Sequence, residues 1–190
     1  MTKAEARKIY LEKRLALTDA AYQQLNFQLY QQFFTHIDLS FVRCLHIFLP
    51  IESKREPDTW PIIDRIRREF PHVRLSIPKI IGDHMENIYF EGLHQLKKNK
   101  WGIFEPQQGV PTPAEKIDMV IVPLLAFDAQ GHRVGYGKGF YDRFLASCRP
   151  DCQRIGISYE EPCEALKDIN NNDIALTHCL TPMDLLCFES

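Results

Sequence analysis

The segment that most constrains this chain is Arg133-Val-Gly-Tyr-Gly-Lys-Gly-Phe-Tyr-Asp-Arg143. Every second residue from Gly135 to Gly139 lacks a Cβ, so the backbone can turn sharply there and come close to another group. An apolar run, Met119 to Phe127, precedes it, and an amphipathic run, Phe140 to Ala146, follows. A strand, a glycine loop and a helix start, in that order, present backbone N–H groups to an anion such as phosphate.

The rest of the chain predicts the setting of that unit. Thr2 with Glu5 is a capping box that starts a helix at Lys3, running to about Leu17. Thr18-Asp19 restarts a second helix to about Thr35, with Leu25, Leu29 and Phe33 on one stripe. Strands are expected at Val42 to Leu49, Val73 to Ile77 (ended by Pro78), Asn87 to Glu91, Asp118 to Pro123 and Arg154 to Tyr159. Cys179 to Thr181 and Leu185 to Phe188 read as edge strands. Thr59 to Phe70 reads as a helix with Ile62, Ile63 and Ile66 inward, and Glu161 to Lys167 as a short helix. Leu93 to Pro113 reads mostly as loop. Asp118 to Pro123 is apolar on both faces, as a central parallel strand should be. The expectation is a layered α/β/α fold with a mostly parallel central sheet and an N-terminal helical arm, forming a single domain over 1–190.

A net charge of −2 and the absence of a basic–aromatic stripe argue against a nucleic-acid binder. No apolar run approaches the roughly 18 residues that span a bilayer, and the charged opening Met1-Thr-Lys-Ala-Glu-Ala-Arg7 has no signal-like apolar region. A monomer in the cytoplasm is expected, touching neither nucleic acid nor membrane. The six cysteines are then read as reduced thiols, since their spacing matches no standard zinc pattern. The seven histidines show no ligand spacing.

Two familiar nucleotide loops are excluded. A Walker A loop needs Ser or Thr after its lysine, where Lys138 is followed by Gly139; the dinucleotide fingerprint needs a third glycine where Phe140 stands. Lys138 brings a mobile ammonium and Arg133 a guanidinium fork suited to phosphate oxygens. Asp142 lies where a Mg²⁺ carried on the phosphates could be held. On spacing alone, a simple strand-to-helix turn also fits.

The run Gly-Tyr-Gly-Lys-Gly-Phe-Tyr-Asp-Arg, preceded by Val-Pro-Leu-Leu-Ala-Phe-Asp-Ala-Gln-Gly-His-Arg, resembles the 5-formyltetrahydrofolate cyclo-ligase family, also called 5,10-methenyltetrahydrofolate synthetases. The resemblance extends to Lys3-x-x-x-Arg7, Ile47-Phe-Leu-Pro50, Glu56-Pro-Asp-Thr59, Trp101-Gly-Ile-Phe-Glu-Pro106 and Asn172-Asp173. It implies an α/β fold, a Mg²⁺ requirement, and the ATP-dependent conversion of 5-formyltetrahydrofolate to 5,10-methenyltetrahydrofolate with release of ADP and phosphate.

The resemblance assigns Lys3, Arg7, Arg133, Gly135, Tyr136, Gly137, Lys138, Gly139, Phe140 and Tyr141 to ATP, with Lys138 and Arg133 as the catalytic cations. It assigns Leu49, Glu56, Trp101, Tyr136 and Phe140 to the folate, and Asp142 and Asp173 to Mg²⁺. Taken without the family, Lys3 and Arg7 suit a solvated helix face and Asp173 a turn. Phe104 stands where the family often has proline, and Thr177 where some members carry a second late Asp. Two competing readings stand beside this one: a sugar-phosphate or acyl-transfer enzyme that uses the Gly135–Gly139 loop as an anion site without ATP, and a binding module without turnover.

Overall fold

The computed structural model describes residues 1–189. The arm forms first. Helix α1, Lys3–Leu15, opens with both halves of the capping box: Thr2 Oγ1 accepts from the Glu5 N–H, and Glu5 Oε2 accepts from the Thr2 N–H at 2.7 Å. Helix α2, Asp19–His36, is capped by the Thr18 hydroxyl. Then come strand β1 (Cys44–Ile47), helix α3 (Trp60–Glu69), strands β2 (Arg74–Ile81), β3 (His84–Tyr89), β4 (Leu96–Lys98), β5 (Phe104–Pro106), β6 (Met119–Pro123), β7 (Ala126–Phe127) and β8 (Arg133–Val134), helix α4 (Phe140–Ser147), and strands β9 (Gln153–Ile157), β10 (His178–Leu180) and β11 (Leu185–Cys187).

Seven strands make the central sheet in the order β11-β10-β9-β6-β1-β2-β3. From β10 to β2 every pairing is parallel, and an antiparallel strand closes each edge. Alternate side chains of the central strands feed opposite layers. Leu45, Ile47, Met119, Ile121, Ile155 and Ile157 pack with Leu29 and Phe33 of α2 and with Ile62, Ile63 and Ile66 of α3. Cys44, Val120 and Val122 face the other way, against Phe144 and Leu145 of α4. This is the expected α/β/α layering with a mostly parallel sheet, and α1 lies outside the sheet against β7 and β8.

The chain leaves β1 toward β2 on one side and later passes from β6 to β9 on the other. Strand order therefore reverses between β1 and β6, and a crevice opens at their carboxyl ends. In open α/β sheets that is where ligands bind.

Four local expectations change. The 161–167 segment is not helical. Its N–H groups are used elsewhere: Cys163 donates to the Phe127 carbonyl, Leu166 to Asp128, and Lys167 to the Met1 carbonyl. Within 93–113 the short β4–β5 hairpin forms, turning at Trp101-Gly102. Strand β2 continues past Pro78 to Ile81, because beyond Ser76 it pairs only with β3 and Pro78 has a side on which no donor is needed. Finally, the β7–β8 hairpin stands between β6 and the glycine loop, so that loop does not leave the central sheet directly.

Candidate active site

A cavity of about 940 Å³ occupies the crevice. One half is polar. It is built from Lys3 and Arg7 of α1, the loop from Arg133 into α4, and the 170–174 turn. Gly139 is the N-cap of α4 at φ +71°, and Gly137 sits at φ +87°, where a Cβ would lie 3.3 Å from the Arg7 guanidinium. The Gly135 to Gly139 N–H groups donate to no described residue. They open directly onto the unpaired first turn of α4, so the loop is a nest of free donors at a helix N-terminus.

The cations around the nest are held in different ways. Arg7 Nε donates to the Gly135 carbonyl at 2.8 Å, pinning the loop from outside. Arg133 donates to Asp142 at 2.9 Å and to the Ile174 carbonyl. Lys3 pairs with Asp173. Burial raises the pKa of Asp173, but its hydrogen bonds from Lys3 and the Asn170 N–H outweigh this and hold it below the usual range. Lys138 is exposed and makes no ion pair with a described residue, so its ammonium is free to meet a ligand.

The other half is apolar. Phe48 and Leu49 follow β1, Pro78 and Ile80 come from β2, Met85 from β3, and Ile103 and Phe104 from the β4–β5 hairpin. Its one buried carboxylate is Glu56, 3% exposed. Glu56 Oε2 accepts from the Ile51 N–H at 2.8 Å and Oε1 from the Tyr136 hydroxyl at 3.0 Å. Burial pushes its pKa up, and the Ile51 N–H, Arg14, Tyr136 and Lys54 pull it back. Tyr136 and Tyr141 join the two halves. The Tyr141 hydroxyl bonds His46 Nε2 at 3.0 Å, and burial raises the pKa of both phenols.

Residues 1–182 match the model of the 5-formyltetrahydrofolate cyclo-ligase family. The chain belongs to that family. It is 30% identical to the 5-formyltetrahydrofolate cyclo-ligase of Escherichia coli K12, over 90% of this chain and 95% of that one. It is 32% identical to a probable 5-formyltetrahydrofolate cyclo-ligase of Schizosaccharomyces pombe, over 73% of this chain and 74% of its relative. The NMR structure of Aquifex aeolicus 5,10-methenyltetrahydrofolate synthetase superposes with a TM-score of 0.80 at 26% identity, over 100% of this chain and 94% of that one.

Of the residues singled out from sequence, this cyclo-ligase brings nearly all to one cavity: Lys3, Arg7, Leu49, Glu56, Arg133, the loop through Tyr141, Asp142 and Asp173. Trp101 is not among them. It sits on the hairpin tip, 68% exposed, with the Lys100 ammonium 4.3 Å from its ring centre. Its near neighbours Ile103 and Phe104 line the wall instead. Arg14 went unnoticed in the sequence, yet it follows Arg7 by seven residues, a spacing that keeps it on the same helix face. It is buried and reaches the Tyr136 hydroxyl.

Among the described residues no group of three or more His, Cys, Asp and Glu could hold a metal, and no helix is long and apolar enough to cross a membrane. Asp142 and Asp173 each keep one carboxylate oxygen free of hydrogen bonds from the protein. Two hard oxygen donors beside a nest of free N–H groups fit Mg²⁺, which takes one or two carboxylates and completes its shell with phosphate and water.

Proposed function

We propose that this chain is the catalytic unit, 1–190, of an ATP- and Mg²⁺-dependent cyclo-ligase that converts 5-formyltetrahydrofolate to 5,10-methenyltetrahydrofolate. The observation that carries the reading is the two-part cavity, in which a nest of unspent N–H groups ringed by cations meets an apolar wall ending on a buried carboxylate. The polar half suits a triphosphate, with Lys3, Arg7, Arg133 and the Gly135–Tyr141 loop around it. The apolar half suits the flat rings of the folate, with Leu49 and Phe140 as walls and Glu56 accepting from pterin N–H groups.

The chemistry needs little from the protein beyond position and charge. The formyl oxygen is a poor leaving group. Transfer of the γ-phosphoryl to that oxygen makes it a phosphate, which departs when N10 attacks the formyl carbon and gives up its proton. In this reading the Lys138 ammonium follows the γ-phosphoryl as charge moves onto the bridging oxygen. Arg133 orients Asp142, and Lys3 orients Asp173. When bound, Mg²⁺ on these two carboxylates would neutralise charge on the phosphate chain. The same reading has the enzyme act as a monomer in the cytoplasm.

Mixing folded protein with 5-formyltetrahydrofolate, ATP and Mg²⁺ should give the absorbance rise of the methenyl product. No rise refutes the proposal. Titration calorimetry with ATP and Mg²⁺ separates it from an anion-binding enzyme of similar fold that does not use ATP.

A further inference from the structure

Arg14 lies in the last turn of α1, 6% exposed, and does not line the cavity. A buried guanidinium is costly unless its donors are met, and an apolar side chain would serve packing better. Its donors are aimed at the site. Nη2 donates to the Leu124 carbonyl at 2.5 Å, where the chain leaves β6, and Nη1 donates to the Tyr136 hydroxyl at 3.2 Å. Its guanidinium carbon stands 5.9 Å from the ring centre of Tyr159. The Tyr136 hydroxyl in turn donates to Glu56.

A phenol has one proton to give. With Arg14 occupying the Tyr136 oxygen as a donor, that proton is directed to Glu56, and the acceptor side of the carboxylate is fixed. Tyr136 is also part of the phosphate nest. The helix therefore holds the glycine loop twice: by its backbone through Arg7 and Gly135, and by a side chain through Arg14 and Tyr136.

We propose that Arg14 is a positioning residue for the cyclisation, fixing the Tyr136 hydroxyl and through it the hold of Glu56 on the folate. The proposal rests on the reading above and assigns a role within it. The groups that face Glu56 are Arg14 from α1, Tyr136 from the glycine loop, Lys54 from the turn before it and Tyr141 from α4, while Tyr22 of α2 donates to its backbone carbonyl. Arg14, Tyr136 and Lys54 all favour the ionised carboxylate. Removing Arg14 therefore makes Glu56 easier to protonate, and folate binding fails at a higher pH.

The test is steady-state folate kinetics from about pH 5 to 8, at saturating ATP and Mg²⁺, on the wild type, Arg14→Met, Arg14→Lys, Tyr136→Phe and the Arg14→Met/Tyr136→Phe double variant. Each single variant should raise the folate KM about tenfold, as expected for losing a hydrogen bond that orders a charged group, with kcat changed less than about threefold. The double variant should be no worse than the weaker single. The acid limb of kcat/KM should move to higher pH in Arg14→Met and stay near its wild-type position in Arg14→Lys, which keeps the charge and loses the fork. If Arg14→Met does not fold, Arg14→Lys and Tyr136→Phe still decide the KM. An unchanged folate KM in both overturns the role of Arg14, as does an acid limb that stays put in a folded Arg14→Met. Absence of methenyl product from the wild type instead refutes the folate reading itself.

Discussion

The two halves of the cavity are built on opposite principles. The polar half, proposed for the nucleotide, is largely one contiguous stretch, Arg133 to Arg143, with cations added from α1. The apolar half, proposed for the folate, draws on β1, β2, β3 and the β4–β5 hairpin, segments far apart in sequence. The first half works by donors left unspent and by charge, the second by shape and burial. Substitutions should therefore separate, except at Tyr136, whose hydroxyl reaches Glu56 from the loop: changes at the loop's glycines and cations act on turnover and ATP, and changes in the wall act on folate.

The sharpest break is expected at Lys138. Its ammonium is exposed and has no ion-pair partner among the described residues, so Lys138→Ala should leave the melting temperature unchanged. Losing one well-placed charge on a transferring phosphoryl group should lower kcat about a hundredfold to a thousandfold. The folate KM should hold within about twofold. A variant that keeps full turnover removes Lys138 from the chemistry.

A second prediction addresses the seam. His46 is fully buried on β1, where it braces the Tyr141 hydroxyl between the two halves. Burial holds its pKa down to about 3, with Asn87 opposing. Between the ordinary histidine pKa of 6.5 and about 3, the unfolded chain binds a proton that the folded chain refuses. The contribution of His46 is therefore intact above pH 6.5 and falls by roughly 1.4 kcal/mol per pH unit below it. Urea unfolding between about pH 7 and 5 measures the slope, and His46→Phe should flatten it. An equal slope in both proteins assigns the acid sensitivity to the carboxylates.

Gly137→Ala tests the nest with a smaller effect. At φ +87° an alanine is strained, and its Cβ would lie 3.3 Å from Arg7. A stability cost of about 1–2 kcal/mol is expected, with an ATP KM raised severalfold and an unchanged folate KM. Stability is read by thermal unfolding. A rise in the folate KM equal to that for ATP would mean that the halves do not separate at the loop.

How much could be read from sequence follows the same divide. The central parallel strand was legible because Met119 to Pro123 is apolar on both faces, and α1 because Thr2 and Glu5 declare its start. The nest was legible because its glycines and charges are neighbours in the chain. The wall was not: Pro78, Ile80, Met85 and Ile103 are ordinary hydrophobes until the sheet sets them side by side. Arg14 was hidden for a related reason, since one arginine among the charges of a helix shows nothing of its burial until Leu124 and Tyr136 arrive from elsewhere. The missed β4–β5 hairpin and the absent helix at 161–167 are tertiary outcomes, decided by which partners take the backbone groups.

The finest comparison lies inside that hairpin. Asn99 closes its tip, its Oδ1 accepting from the Trp101 N–H at 2.9 Å and the Ile103 N–H at 3.1 Å, while Gly102 turns at φ +74°. This turn leaves Trp101 to solvent and sets Ile103 and Phe104 on the cavity wall, with Phe104 edge-on to Trp60 at 6.1 Å between ring centres. An aromatic ring lost from a packed wall should cost more than one lost from solvent. Phe104→Ala should therefore raise the folate KM about three- to tenfold, and Trp101→Ala less than about twofold, with the ATP KM unchanged in both. If Trp101→Ala matches Phe104→Ala, the hairpin tip folds over the bound folate. The apolar half would then be completed only in the complex, whereas the nest stands ready before any ligand arrives.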